Sequence, residues 1–430
     1  MQILLLGATG LIGSSMAARL TVDGHEVVAV TRDCGPGARR LAVARRIELD
    51  LRRATSPEVW APHLAGIDAV INCAGVLQDN ARDSTAAAHM DGPAALWEAC
   101  ERAGIRRVIH FSAMGVDRGG LTAFSRSKLE GDQALMRRNF DWIVLRPSVV
   151  VGRPAYGGSG LLRGLAALPI LPRTPDAGQL DIVLLDDVVE TVARLLRPGA
   201  PSRLVLELAG PERMSFDEVV AAYRAWLGRP PARLVSLPGF AMRLAYRLGD
   251  LLAKFGWRPP IRSTARVEIT RGATGDASAW KEVTGLAPRS LRTALAAEPA
   301  SVQERWFSNL YLLKPLMIGV FALFWLMTGI VSLTAGYDHA EWLMRKAGAG
   351  PLSGPSVVAG GIADIVVATA MLFRRTARPA LFAALGLSIF YVVAGTILLP
   401  VLWSDPLGPM MKIWPILVFN LACLAVLEER

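Results

Sequence analysis

Charged side chains are scarce in this chain of 430 residues. They make up 20% of it, whereas apolar residues make up 52%. Because soluble domains carry about 25% charged residues, the shortage argues against a wholly water-soluble protein. The apolar content also excludes an intrinsically disordered chain, and the length is enough for two or three domains.

Cysteine and histidine are also rare. The four cysteines (Cys34, Cys73, Cys100 and Cys423) show no CxxC spacing, and the five histidines are spread singly. Neither a disulfide framework nor a metal site is therefore expected. The opening MQILLLGATG has no basic segment and leads straight into a glycine turn, so it predicts a first strand and not a signal peptide. We expect the water-soluble part to face a reducing cytoplasm.

Basic runs are missing as well, although the formal net charge is +10. The basic residues are scattered as arginine pairs such as Arg39-Arg40 and Arg137-Arg138, without interleaved aromatic residues. Nucleic acid is therefore not expected as a partner.

Long apolar runs begin after about residue 310. Four of them predict membrane helices, at about residues 316–335, 356–373, 380–403 and 413–427. The loop between the second and the third carries Arg374, Arg375 and Arg378, so the positive-inside rule places this loop, the soluble part and both termini in the cytoplasm. We expect an integral protein of a bacterial-type inner membrane.

One acidic residue, Asp364, falls inside the second apolar run. A carboxylate within a membrane is costly unless it is paired, and it is therefore a functional candidate by default. Asn420 and Lys412 on the fourth run are candidate partners. Gly360-Gly361 just before it indicates close helix packing, which needs no ligand.

The first 200 residues alternate short β-branched runs, such as EVVAVT and WIVLRP, with helical patterns. This alternation predicts a Rossmann fold for residues 1–200, an α/β domain with a doubly wound parallel sheet. Residues 201–300 predict a smaller α/β segment on the substrate side, and residues 301–430 an all-α domain of four transmembrane helices. Residues 240–255 predict an amphipathic helix, for which packing on its own domain is favoured and a membrane-surface position stays open.

A glycine-rich turn follows the first predicted strand and opens a helix, which is the context that a dinucleotide-binding fingerprint requires. Glycines there permit a tight turn, close approach of the backbone to a pyrophosphate and close helix–strand packing. The N-terminus of the helix would hold the phosphates. The predicted cofactor-binding residues of this turn are Gly7, Thr9, Gly10, Leu11, Ile12 and Gly13.

The second predicted strand ends at Arg32-Asp33. An arginine at this point accommodates the 2′-phosphate of NADP, whereas an acidic residue holds the ribose hydroxyls of NAD. Arg32 comes first, so NADP(H) is favoured and Asp33 keeps NAD(H) open.

Further motifs follow in order: Leu49-Asp50-Leu51, Asn72-Cys73-Ala74-Gly75, Phe111-Ser112-Ala113 and Leu145-Arg146-Pro147-Ser148. With the glycine turn, they resemble the extended and atypical short-chain dehydrogenase/reductases over about residues 1–300, in particular the NmrA-like proteins and the nucleotide-binding accessory subunit of respiratory complex I. The resemblance implies that Asp50 and Leu51 lie near the adenine, Ala74 and Gly75 along the cofactor, and Arg146 and Pro147 over the nicotinamide side.

Residues 301–430 resemble the DoxX-like four-helix membrane domains, through Glu304-Arg305-Trp306-Phe307, Leu312-Leu313-Lys314-Pro315 and the helix content. That family includes small membrane subunits of quinone and thiol redox systems. The resemblance implies a membrane electron carrier or a lipid-like substrate.

The family's proton-transferring tyrosine, which stands four residues before a lysine, is absent. Phe124 occupies its place, and Lys128 is present. The chain has only six lysines against 41 arginines, so a lysine at this position indicates a need for its compact ammonium, on the nicotinamide ribose. Ser112 and Tyr156 are further catalytic candidates, although a strand-end serine and a loop tyrosine are both common without a catalytic role.

These expectations favour a membrane-bound NAD(P)H-binding oxidoreductase that acts with a quinone or an isoprenoid-like lipid. The competing function is a non-catalytic NADP(H)-binding sensor or assembly subunit of a membrane redox complex, because a phenyl ring cannot transfer a proton. A transport or scaffold protein that uses Asp364 is a third, less favoured function.

Overall fold

The structure, a computed structural model, describes residues 1–33, 35–80, 83–118, 122–257 and 259–427. The chain divides into two compact units. The first comprises Met1–Leu251 and Pro259–Ser308, and the second comprises Leu252–Arg258 and Asn309–Arg430.

The first unit is built on a parallel sheet of seven strands among the described residues. These strands are β1 (Gln2–Leu6), β2 (Glu26–Thr31), β3 (Arg45–Glu48), β4 (Ala69–Asn72), β5 (Arg107–Phe111), β6 (Asp141–Pro147) and β11 (Leu204–Leu208). Their spatial order is β11-β6-β5-β4-β1-β2-β3, and each neighbouring pair is parallel. From β1 the chain adds strands toward one edge of the sheet, and from β4 it adds them toward the other edge. The strand order therefore reverses between β1 and β4, and open parallel sheets bind their ligands at such a point. The predicted Rossmann fold is confirmed.

Short strands complete the first unit. They are β7 (Val150–Val151), β8 (Ile170–Pro172), β9 (Leu180–Asp181), β10 (Val183–Leu184), β12 (Arg213–Met214) and β13 (Arg233–Val235). They pair as β7 with β10, β9 with β12, and β8 with β13. All three pairs come after β6 in the chain, and they are separate from the seven-stranded sheet.

Helices cover both faces of the sheet. The α-helices that begin in this part of the chain are α1 (Leu11–Val22), α2 (Pro36–Arg39), α3 (Pro57–Trp60), α4 (Gly92–Arg102), α5 (Ala123–Met136), α6 (Gly158–Ala166), α7 (Leu185–Leu195), α8 (Phe216–Trp226), α9 (Gly239–Lys254), α10 (Ser263–Arg271), α11 (Ser278–Thr284) and α12 (Leu291–Ala297). The last residues of α9 belong to the second unit. Because both faces are covered, the inner strand β1 is buried from its second residue onward: Ile3, Leu4, Leu5 and Leu6 are all 0% exposed.

The helical C-terminal part contains four helical stretches long and apolar enough to cross a membrane, among the described residues. They are Val302–Leu333 (α13), Gly350–Leu372, which ends with α15 (Ser353–Leu372), Ala377–Leu398 (α16) and Pro409–Val426 (α17). The prediction of four membrane helices is confirmed. The first begins at Val302, earlier than the apolar run suggests, so that Pro315 lies inside the helix.

The segment between the first two spans contains a further helix, α14 (Tyr337–Lys346), which the apolar runs do not indicate. Its charged residues give it a sequence pattern unlike the apolar runs that predict membrane helices. Glu341 and Arg345 form an ion pair one turn apart, and the ammonium of Lys346 lies 3.8 Å from the centre of the Trp342 ring.

Candidate functional site

The glycine turn after β1 is a tight backbone cradle. Gly7 has φ +70°, and a Cβ at this position would lie 2.8 Å from the backbone of Cys73 and Ala74 at the end of β4. A Cβ at Gly13 would lie 2.1 Å from the carbonyl oxygen of Gly7. Larger residues are therefore excluded from both positions, because backbone atoms cannot move aside as a flexible side chain does.

Helix α1 begins directly after this turn, at Leu11. Gly10 is its N-cap and has no side-chain cap among the described residues. The first backbone N–H groups of a helix have no partner within it, so those of Leu11, Ile12 and Gly13 face outward at this helix end, where an anion can bind. Thr9 lies in the turn before them. The cradle and the open helix end fit the pyrophosphate of a dinucleotide.

Two ion pairs lie at the ends of β2 and β3, where the resemblance puts the adenosine end of the cofactor. Arg32 contacts the almost buried Asp83 at 2.8 Å, and Arg52 contacts Asp50 at 2.6 Å. The guanidinium of Arg52 holds the pKa of the Asp50 carboxyl below its ordinary value, and Arg32 adds to this effect. Leu51 is partly buried against the core beside them.

Lys128 lies on α5 and is only 4% exposed. Its ammonium donates to the carbonyl oxygens of Phe111 (2.7 Å), the last residue of β5, and of Ala74 (3.2 Å), two residues after the neighbouring strand β4. A Cβ on Gly75 would lie 3.3 Å from its Nζ atom. The structure therefore brings Lys128, Ala74 and Gly75 together. Burial lowers the pKa of Lys128 to about 8, although Asp132 opposes the effect.

A buried hydrogen-bond chain supports these carbonyl groups from the core. The N–H of Ala74 donates to the Asn72 side chain at 3.0 Å, and the amide of Asn72 donates to Nδ1 of His110 at 3.1 Å. This leaves the proton of His110 on Nε2, which lies 3.5 Å from Asp132. Burial lowers the pKa of His110 well below its ordinary value, so the imidazole is neutral.

Asp132 joins two of the predicted site residues. Its carboxylate accepts from the hydroxyl of Ser112 at 2.8 Å and from the Arg146 guanidinium at 3.1 and 3.2 Å. Arg146 also pairs with Asp117. Burial raises the pKa of Asp132, while Ser112 and Arg146 oppose that shift. Pro147, the last residue of β6, accepts the N–H of Met114 at 3.1 Å.

Phe124 stands one helical turn before Lys128 and packs edge-on against His89, with ring centres 5.5 Å apart. Nε2 of His89 accepts the N–H of Val76 at 3.0 Å, so Nδ1 carries the proton and donates to the Ser127 hydroxyl at 2.8 Å. Burial lowers the pKa of His89, which keeps it neutral. Phe124 therefore packs beside a neutral imidazole.

A second polar cluster borders the start of α5. The Glu268 carboxylate accepts from the hydroxyls of Thr122 (2.5 Å) and Ser125 (2.9 Å), and Arg271 donates to the Ser125 hydroxyl at 2.6 Å. Glu268 and Arg271 belong to α10, more than 140 residues further along the chain. This cluster ties the later part of the first unit to the helix that carries Lys128.

Tyr156 is 42% exposed, in the loop before α6, and its backbone N–H donates to the Ser159 hydroxyl at 2.9 Å. Sequence reasoning missed His89, His110 and Asp132, which the structure brings to the group around Lys128. The signal for them is weak: single histidines in helical or strand patterns are usually core residues, and Asp132 lies four residues after Lys128 like any helical ion-pair partner.

A cavity of about 280 Å³ lies in the later part of the first unit. Arg163 lines it, beside the rings of Tyr223 and Trp226 at 5.6 and 5.3 Å. Arg289 and Glu304 contribute charges to its wall. None of the predicted cofactor-binding residues lines it.

In the second unit, Asp364 is 3% exposed and accepts a hydrogen bond from the hydroxyl of Tyr391 at 3.1 Å. The expected partner Asn420 instead donates to the carbonyl oxygen of Leu381, also at 3.1 Å. The Asp364–Tyr391 contact joins α15 to α16, and a Cβ on Gly329 of α13 would lie 3.2 Å from that of Asp364. Asp364 is therefore a packing element of the bundle as well as a polar group within it.

Two known families match parts of the chain, one in each unit. Residues 7–163 match the NAD(P)H-binding family, and residues 322–421 match the DoxX-like family.

Three relatives show how far the similarity extends. Rv2047c of Mycobacterium tuberculosis is 28% identical over 233 residues, 54% of this chain and 24% of that protein, so the match spans about a quarter of this relative. Sterol demethylase protein B of Methylococcus capsulatus is 25% identical over 338 residues, 71% of this chain and 99% of that protein. Ceramide reductase of Caulobacter vibrioides is 24% identical over 246 residues, 57% and 76% of the two chains.

Among solved structures, MoeE5 in complex with UDP-glucose and NAD is similar, with a TM-score of 0.51 and 22% identity over 69% of this chain and 96% of that one. Similarity at this level of identity shows the shared fold.

Proposed function

Because the chain joins an NAD(P)H-binding Rossmann-like domain to a DoxX-like domain with four apolar helices, we propose that it is a membrane-bound oxidoreductase acting on a hydrophobic acceptor. The acceptor is a quinone or an isoprenoid-like lipid. When bound, NAD(P)H supplies the hydride. The chain's own residues bind and orient the dinucleotide and handle the accompanying proton.

The observation that carries this proposal is the position of Lys128. Its ammonium is buried at the ends of β4 and β5, beside Gly75 and one turn after Phe124. A buried charge is costly, and among the described residues its hydrogen-bond partners are two carbonyl groups, with the Asp132 carboxylate adding an opposite charge. Such an arrangement is typical of a functional site, in which the ammonium holds ribose hydroxyls.

Phe124 favours one class of acceptor over another. Reduction of a ketone by hydride produces an alkoxide, which needs a proton donor in the transition state. Reduction of a quinone produces the anion of a phenol-like hydroquinone, which is stable enough to take its proton afterwards. A site without the tyrosine therefore suits a quinone, which gains one hydride and one proton to become the quinol. Because burial brings the pKa of Lys128 to about 8, this ammonium is a source of that proton near neutral pH.

The relatives support an apolar substrate. Two of them carry the names sterol demethylase protein B and ceramide reductase, and both names refer to lipids. Ser112 and Arg146 position Asp132 in this proposal, and Tyr156 borders the substrate. Arg32 and Arg52 favour NADP(H), because two guanidinium groups suit a 2′-phosphate. We also propose that both termini lie in the cytoplasm, which the arginine-rich loop before α16 supports through the positive-inside rule.

Phe124 also favours a second function, in which the nucleotide is held without turnover and the protein acts as a sensor or assembly subunit of a membrane redox complex. Cofactor exchange distinguishes the two, because an enzyme must release the oxidised nucleotide in every cycle. A structural site retains it through purification.

The test uses the full-length protein in detergent, with NADPH and a short-chain ubiquinone analogue. We expect quinone-dependent loss of nicotinamide absorbance that Lys128→Ala abolishes and that Lys281→Ala, at an exposed lysine, leaves intact. Tight binding without oxidation would favour the sensor. Absence of binding would contradict both functions.

A further inference from the structure

Helix α9 exposes its large apolar side chains. Phe240, Leu244, Leu248 and Leu251 are 65%, 54%, 50% and 47% exposed. Their spacing of four, four and three residues places them on one side of the helix, within an arc of about 80°. Leu237, just before the helix, is 45% exposed and continues the same line. We call these five residues the apolar stripe.

The opposite side of the helix makes the contact with its own unit. Gly249 is buried, and a Cβ there would lie 1.8 Å from the carbonyl oxygen of Ile261. The next residue, Asp250, accepts from the Gln78 amide and from the Ser263 N–H, both at 3.3 Å. Because these contacts lie away from the apolar stripe and its members are about half exposed or more, the stripe is not the face that packs within the unit.

Basic residues border the apolar stripe. Arg243, Arg247 and Lys254 are all exposed. At 100° per residue they lie within about 40° of one another, along one edge of the stripe. A stripe of large apolar side chains beside a row of cations is the pattern of a helix that lies in the interface of an anionic membrane.

The end of the helix belongs to the second unit, which contains the four membrane-spanning stretches. Residues from Leu252 to Arg258 are part of that unit. The indole N–H of Trp257 donates to the carbonyl oxygen of Leu372 at 2.6 Å. The backbone N–H of Arg374 donates to the carbonyl oxygen of Phe255 at 3.0 Å. Leu372 ends α15, and Arg374 lies in the arginine-rich loop before α16, so the end of α9 is held where two membrane spans reach the water boundary.

We propose that α9 is an interfacial helix, whose apolar stripe inserts between lipid headgroups while Arg243, Arg247 and Lys254 contact anionic phosphates. Its 16 residues would cover roughly 24 Å of membrane surface. A second copy of the chain fits the stripe less well, because a two-fold contact would bring the same three cations of both copies together. The proposal is independent of the redox chemistry proposed above.

The test uses the full-length protein in nanodiscs. The four native cysteines are replaced by alanine, and a single Leu244→Cys is labelled with an environment-sensitive fluorophore. The matched control carries Val22→Cys, an 84% exposed apolar position at the end of α1. Lipids with nitroxides on their acyl chains serve as the quenching probe, in phosphatidylcholine discs with and without phosphatidylglycerol. Circular dichroism and gel filtration check that each variant is folded.

We expect blue-shifted emission and several-fold stronger quenching at Leu244→Cys than at Val22→Cys. Neutral lipid, or Arg243→Gln combined with Arg247→Gln, should reduce the quenching. Water-like emission without lipid quenching would overturn the proposal. Blue-shifted emission without lipid quenching, together with cross-linking of two labelled chains, would assign the stripe to a second copy instead. Equal quenching in neutral and anionic discs would remove the role of the cations.

Discussion

Replacement of Lys128 by methionine should stabilise the protein while it weakens nucleotide binding. The side chain is 4% exposed, and burial lowers its pKa from the ordinary 10.5 to about 8. Between these two pH values the unfolded chain holds a proton that the native state lacks. Stability therefore rises with pH across this window, and below about pH 8 the buried ammonium carries its full cost.

The size of that cost follows from the same shift. At about 1.36 kcal/mol for each pH unit, the interval from 10.5 to about 8 corresponds to roughly 3 kcal/mol. Lys128→Met should remove this penalty at pH 7 and abolish the pH dependence above pH 8. It should weaken NADPH binding by about tenfold to hundredfold, as expected for loss of a charged hydrogen bond worth roughly 1.5–3 kcal/mol.

The assay is thermal unfolding of the detergent-solubilised full chain at pH 7 and at pH 10. Unfolding of the first unit is followed through maleimide labelling of the buried Cys100, identified by peptide mass spectrometry. Lys281→Met, at an exposed lysine, is the matched control and should change neither property. A Lys128→Met variant that is less stable than the wild type at pH 7, or that keeps the wild-type pH dependence, would refute the reasoning.

Three further outcomes are expected. Gly13→Ala should abolish nucleotide binding, because its Cβ would lie 2.1 Å from the Gly7 carbonyl oxygen, whereas Gly37→Ala, with no atom within 4 Å, should bind normally in the same fluorescence titration. Arg32→Gln should weaken NADPH by about tenfold to hundredfold through loss of a charged contact, with NADH nearly unchanged, and equal losses for both nucleotides would argue against a 2′-phosphate site. Phe124→Tyr should raise reduction of simple ketones by roughly a hundredfold, as general acid catalysis supplies, and the gain should vanish when Lys128→Ala is added. If this variant shows no gain, position 124 does not lie within reach of the carbonyl oxygen that receives the proton.

The features that sequence revealed are local. The sheet follows from β-branched runs, the cradle from glycines next to a strand, and the membrane helices from apolar runs, and each signal lies within some twenty residues. Helix α14 was not predicted from the apolar pattern, because its stability comes from charged and aromatic contacts one turn apart.

The features that sequence did not reveal depend on contacts between distant parts of the chain. Glu268 meets Ser125 across 143 residues, and Asn72 meets His110 across 38. No spacing rule links such pairs. Helix α9 shows a different limit: its amphipathic pattern is visible, but the face that packs is set by Gly249, whose missing side chain admits the backbone at Ile261.

The central claim is hydride transfer from bound NAD(P)H to an acceptor in the membrane. The most direct measurement is a single turnover in nanodiscs that contain a ubiquinone analogue, with NADPH carrying deuterium at the transferred position, followed by quinol formation. The account predicts one quinol for each NADPH oxidised, slower formation with the deuterated nucleotide, and loss of both with Lys128→Ala. Stoichiometric NADPH binding without any quinol would contradict the account and support a protein that holds the nucleotide without turning it over.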